Sequence, residues 1–196
     1  KHATSNIKTL HLLTAHASET EWPAYNEQML AFAKQKLVTE TKCKALHNFY
    51  LRFLADAINN QGILKQEAGE IKESIELYEE ALKIKEEVND LEGMATVINN
   101  IGLIYTHKGD GVKGLEYFKR SLKIFEKLGN KNTVSISLVN IGSIYERQGN
   151  IPLALDYFHK ALKIQEETGD KSGTANSLTN IAGIYDVQKN RKTALE

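Results

Sequence analysis

Four asparagines fall at one spacing: Asn60, Asn100, Asn140 and Asn180, each 40 residues after the last. A side-chain amide both donates and accepts, so it can hold a peptide backbone whatever the peptide's sequence. A row of them would clamp an extended chain. Equally, each could bond to the neighbouring segment of its own chain and set the spacing, and on the sequence both readings stand. Other candidates for chemistry are weaker. None of the six histidines (His2, His11, His16, His47, His107, His159) lies at i, i+4 from another, and there is no H-E-x-x-H. His11 and His16 are five apart and point to different faces of a helix, so no metal site is expected. Cys43 is the only cysteine, which excludes an internal disulfide or a multi-thiolate zinc site, and it reads as a buried or idle thiol rather than a nucleophile. Gly109-Asp110-Gly111-Val112-Lys113-Gly114 matches G-x-G-x-x-G, but a dinucleotide site needs a strand before it. Here a helical pattern precedes it, and it reads as a turn. Glu79, Glu80, Glu86 and Glu87 alternate with lysines as a solvated helix face, not as an acid–base pair. No catalytic residue and no cofactor are expected.

Composition narrows the partners. Lys plus Arg (25) cancel Asp plus Glu (25), which argues against a nucleic-acid surface, since that needs a net basic field. Apolar residues make up 41%, enough for a core. No apolar run approaches the roughly 18 residues of a membrane span, so direct membrane insertion is not expected. The compartment is left open.

A repeat sets the elements that carry these residues. The 40-residue step also links Gly62, Gly102, Gly142 and Ala182; Tyr105, Tyr145 and Tyr185; Gly69, Gly109 and Gly149; and Ile84, Ile124 and Ile164. Within a unit, Val97, Ile98, Ile101, Ile104 and Tyr105 recur at three and four residues, one face of an α-helix. The Gly109 turn breaks it, Leu115, Phe118, Leu122 and Phe125 resume it, and Gly129 closes it as a C-cap. Pro152 opens the second helix of the following unit, where a missing amide costs little. Each unit is a helical hairpin that cannot bury both faces alone, so units must stack. Gly102 and Gly142 sit mid-helix, where glycine costs about 1 kcal/mol against alanine, so a close partner helix is expected there. Gly114 and Ala154 supply the matching small residues, and Phe118 and Phe158 fill the space beyond.

These residues resemble the tetratricopeptide repeat. Its W-x2-L-G-x2-Y, A-x3-F signature reads here as Ile98-x2-Ile101-Gly102-x2-Tyr105 with Gly114-x3-Phe118, then Leu138-x2-Ile141-Gly142-x2-Tyr145 with Ala154-x3-Phe158. The terminal proline and the tryptophan are missing and the period is 40 instead of 34. This variant is similar to the repeats of LGN-type adaptors, kinesin light chains and bacterial sensor proteins. The resemblance implies an all-α fold, a right-handed α-solenoid of antiparallel hairpins whose first helices line a concave groove. It implies a non-catalytic scaffold binding a protein or peptide segment there, as part of a larger signalling protein. The alternative it implies is a ligand- or peptide-sensing input module ahead of a sensor kinase or nucleotide cyclase.

Groove positions carried over from the resemblance are Asn59, Asn60, Ile63, Thr96, Asn99, Asn100, Leu103, His107, Ile136, Asn140, Ser143, Arg147 and Asn180. Asp56, Glu67, Glu146 and Asp186 give the groove a mild acidic lean. Chaperone-binding members clamp a C-terminal carboxylate with Lys and Arg; only Arg147 is cationic here, so such a ligand is not expected. Four amide contacts at about 0.5–1.5 kcal/mol each barely offset the roughly 2–5 kcal/mol needed to order a peptide, so Ile63, Leu103 or Ile136 must anchor it.

The ends depart from the pattern. Residues 7–17 and 23–38 read as two helices of a degenerate capping hairpin, and Thr41 to Lys65 as one long helix. The organisation expected is therefore N-terminal helices over 1–52, including the start of that long helix. A repeat array over 53–196 follows, with three full units and a truncated fourth. The helix carrying Ile181, Ile184 and Tyr185 is then expected to expose an apolar face and to mediate self-association.

Overall fold

The computed structural model describes the backbone of residues 2–18, 20–39 and 43–195, and side chains from residue 4 to 188 within those segments. All secondary structure among the described residues is helical: α1 (His2–His16), α2 (Trp22–Thr39), α3 (Lys44–Glu67), α4 (Ile71–Glu87), α5 (Leu91–His107), α6 (Gly111–Leu128), α7 (Lys131–Arg147), α8 (Ile151–Thr168) and α9 (Lys171–Leu195). The expected start of the long helix at Thr41 lies outside the described residues. Two compact units form, residues 1–104 and 105–196, with the border inside the last turn of α5.

Caps place the helix ends. Asp110, Asn130 and Asn150 accept from the backbone amides of Lys113, Thr133 and Leu153, satisfying donors that a helix start leaves open. At the other end Gly129 adopts φ 69°, and in the preceding repeat Asn89 takes the same position at φ 52°. Asparagine is the non-glycine residue that tolerates this left-handed turn best.

In the first unit, Ile7, Met29, Ala33, Tyr50 and Ala57 join α1, α2 and α3 in one core, with Phe49 and Phe53 packed against it. The α3–α4 pair closes through Gly62, where a Cβ would lie 2.7 Å from the Tyr78 ring. Ser74 is fully buried and donates its hydroxyl to the Gly62 carbonyl at 2.7 Å. Burial, eased by a hydrogen bond to Ser74, pushes the Tyr78 phenol up to about 12.

The second unit repeats the device. A Cβ on Gly142 would meet the Phe158 ring at 2.8 Å. Phe158 and Ala154 pack with Ile181 and Ile184 of α9. This corrects one expectation: Ile181 and Ile184 are 8% and 3% exposed, because α8 already covers them. Tyr185 of that set is exposed, and the other large exposed apolar side chains of α9 among the described residues are Leu178 and Val187. Helix α9 also runs on unbroken past Lys189, the position held by turn glycines at 69, 109 and 149.

Candidate functional site

The most chemically distinctive feature of the first unit is a buried cation. Lys85 sits on the inner face of α4, 3% exposed, and its ammonium donates to Asp56 Oδ1 of α3 and, at 2.7 Å, to Asp90 Oδ2 at the start of α5. Asp90 Oδ1 accepts from the Gly93 amide at 3.1 Å, so the capping carboxylate also neutralises the lysine. Glycine is required at 93: a Cβ there would come within 2.6 Å of the Lys85 chain. On the far side, His11 Nε2 of α1 stands 3.5 Å from Asp56 Oδ2, its ring edge-on to Phe53. Burial acts to raise the Asp90 carboxyl, but the Lys85 ammonium and the Gly93 amide outweigh it and hold the group below the usual carboxylate range.

These groups line a recess of about 330 Å³ with Asn59, Glu92, Thr96 and Val97. A second recess of about 370 Å³ shares His11 and is lined by Thr14, Ala15, Ala17, Trp22, Asn60 and Ile63. Of the groove positions expected from sequence, Asn59 and Thr96 thus meet in one recess, and Asn60 and Ile63 in its neighbour. Asn99 and Leu103 are half-buried on α5.

The asparagine amides are engaged within the fold. Asn60 Nδ2 donates to Asn26 Oδ1 at 3.0 Å, and Asn26 in turn donates to the Ala57 carbonyl. Asn100 Nδ2 donates to Asn59 Oδ1 at 3.0 Å. In the second unit the residue matching Asn59 is Val139, which has no side-chain acceptor, and Asn180 turns to Asn176 of its own helix at 3.5 Å. Asn140 and Ser143 are half-buried, whereas His107 and Ile136 are exposed. Arg147 lines a separate recess with Ile151, Ile184 and Val187, apart from the other expected groove residues.

The fold itself demands neither Lys85 nor Asp56, whereas Asp90 recurs in the second unit as Asp170, which accepts from the Gly173 amide at 2.9 Å. At the same repeat positions the second unit places Ile136 for Asp56, Val139 for Asn59 and Gln165 for Lys85. Gln165 is as buried as Lys85 and accepts a 2.7 Å hydrogen bond from Ser177. A buried ion pair is often no more stabilising than the neutral packing that could replace it. Sequence reasoning missed Lys85 and Asp90 because lysines beside glutamates read as solvent-facing. The signal was the column itself, where Lys85 stands in line with Phe125 and Gln165. Cys43 is exposed, so the buried alternative for that thiol does not hold. Among the described residues no group of three or more His, Cys, Asp or Glu is placed to hold a metal ion. No helix among them is long and apolar enough to cross a membrane.

The sequence matches the tetratricopeptide repeat profile over residues 53–127 and 133–196. The chain belongs to the tetratricopeptide repeat family. Its fold class is the all-α helical solenoid, and such proteins are generally non-catalytic scaffolds that bind proteins or peptides. No curated protein matches the sequence. Among solved structures it is similar to aspartyl phosphate phosphatase F from Bacillus subtilis (TM-score 0.70, 17% identity, 97% of this chain, 50% of that one). It is similar to a STAND protein with a tetratricopeptide repeat sensor from Pyrococcus horikoshii (0.68, 18%, 91% of this chain, 26% of that one). It is also similar to a putative kinesin light chain with nearly identical repeats from Podosopora anserina (0.59, 17%, 100% and 92%). At these identities the likeness shows the fold alone, and the chain spans half of the first of these proteins and about a quarter of the second.

Proposed function

We propose that this chain is a non-catalytic binding scaffold that holds a peptide or protein segment on the α3–α5 face of its first unit, as part of a larger signalling protein. The observation that carries this reading is the Lys85 recess. It gathers charged and amide groups where the equivalent positions of the second unit carry the apolar Ile136 and Val139. The chain carries buried charge at Lys85 where the neutral Gln165 serves in the second unit, which points to a site rather than to a support. Thr96 is exposed at its rim, and Ile63 and Trp22 in the adjoining recess supply the apolar anchors that amide contacts alone cannot. The test is affinity capture with the intact chain against Thr96→Arg, a rim substitution that leaves the packing untouched. Loss of the captured partner with an unchanged melting temperature supports the reading, and equal capture by both proteins refutes it.

A second reading, a sensing input module of a sensor kinase or nucleotide cyclase, draws support from the charged and amide groups gathered in the same recess and from the fold shared with a repeat described as a sensor. There, a small ligand would bind without a protein partner. Self-association through the Leu178 and Tyr185 face of α9 belongs to the same proposal, and a strictly monomeric species at high concentration in sedimentation would remove it.

A further inference from the structure

The Lys85 recess offers two kinds of hydrogen-bonding group, side by side. On the donor side, Asn59 is only 9% exposed; its Oδ1 is filled by Asn100, and its Nδ2 has no partner among the described residues. Lys85 has three N–H bonds and two acceptors there, Asp56 and Asp90. On the acceptor side, the Asp56 carboxylate is 30% exposed, and Asp90 and Glu92 also line the space. The nearby cations are Lys85 itself, Arg52 acting on Asp90, and the His11 imidazole when protonated. Asp56 and Asn59 are three residues apart on α3, which makes them neighbours on one helix face.

A ligand that meets both sets must carry a cationic donor and an acceptor within a few bonds of each other. A lysine or arginine side chain brings donors only and leaves Asn59 and Lys85 unmet. A carboxylate alone meets the donors but faces the aspartates. An N-terminal residue has both, with its ammonium group one carbon from its carbonyl. We propose that this recess captures the free N-terminus of a bound peptide, the ammonium on the Asp56 and Asp90 carboxylates and the first carbonyl on Asn59 Nδ2. The inference rests on reading the α3–α5 face as a peptide-binding surface, and it adds which end of the peptide is held and by which atoms.

The test uses the intact chain and two probes, tetra-alanine with a C-terminal fluorescein and a free or an acetylated N-terminus, read by fluorescence anisotropy. The free amine is expected to bind at least tenfold more tightly, and Asp56→Asn to erase that difference. Because Asp56→Asn disturbs the Lys85 cluster and could unfold the unit, the wild-type chain is also titrated by amide NMR. The Asn59 side-chain cross-peaks should move with the free-amine probe and stay still with the acetylated one. Equal binding of both probes overturns the inference while leaving the peptide-surface reading intact, and no binding of either, or unmoved Asn59 cross-peaks, overturns it as well. Alanine amide binding as tightly as the peptide would make the ligand a single amino acid and overturn it too. If the free-amine probe binds and fails to displace a captured partner, the recess stands and the partner reading falls.

Discussion

Replacing Gly142 with alanine sets two known effects against each other. Helix propensity favours alanine by about 0.8–1.0 kcal/mol in a helix interior. Against that, the new Cβ would lie 2.8, 2.9 and 3.2 Å from three carbons of the Phe158 ring, when ordinary contact begins near 3.4 Å. Phe158 is fully buried between α7, α8 and α9, so the ring cannot swing into solvent. Forcing one methyl group into a packed core costs about 1–3 kcal/mol. The net expectation is a loss of about 1 kcal/mol, or a melting temperature about 2–4 °C lower for a chain of this size. Gly183 supplies the control. It lies mid-helix in α9 with nothing within 4 Å of a Cβ, so alanine there should raise stability by about 0.8–1.0 kcal/mol. Thermal and urea unfolding of both variants, together with Gly142→Ala in a Phe158→Leu background, isolate the overlap. The coupling should fall in the range of about 0.5–3 kcal/mol found for residues in contact. If Gly142→Ala stabilises as much as Gly183→Ala, the close approach of α7 and α8 is not what holds the glycine in place.

Lys85→Met should destabilise by about 3–5 kcal/mol, because it leaves Asp56 and Asp90 in a recess without their cation. Lys85→Gln combined with Asp56→Ile and Asn59→Val copies the second unit, and urea unfolding should find it as stable as the parent or more so. Asp90 is held low by Lys85, so its contribution is fully present above the unfolded carboxyl value of about 3.9 and is lost as pH falls through the folded value. The stability gap between the parent and Asp90→Asn, measured by urea unfolding from pH 7 to pH 2, should therefore close at the acid end; a constant gap would refute the pairing. Asn100→Ala removes one amide bond to Asn59 and should cost about 0.5–1.5 kcal/mol, visible in a thermal melt.

The hairpin architecture was legible because its determinants are local and repeated. The Gly109 and Gly129 turns, the capping residues and the 3.6-residue apolar period all sit within a few positions of the helices they bound. Even the tertiary contact at Gly142 left a trace, since a costly glycine recurring at one phase needs a reason. The recess left no such trace in any one segment. It is assembled from α1, α3, α4 and the start of α5, and Lys85 becomes distinctive only when its burial is known. The α9 surface failed to follow from sequence for a related reason. Ile181 and Ile184 face the helix before them in the chain, which is present, and a rule that counts the helix after them misassigns their exposure.

Photo-crosslinking decides most directly whether the first unit is a binding surface. A benzophenone amino acid at Thr96, exposed beside the recess, is compared with one at Val112, 67% exposed on α6. The account predicts a covalent adduct to one partner polypeptide from Thr96 and none from Val112. Adducts from Val112 alone, or equal yields at the two positions, would contradict it.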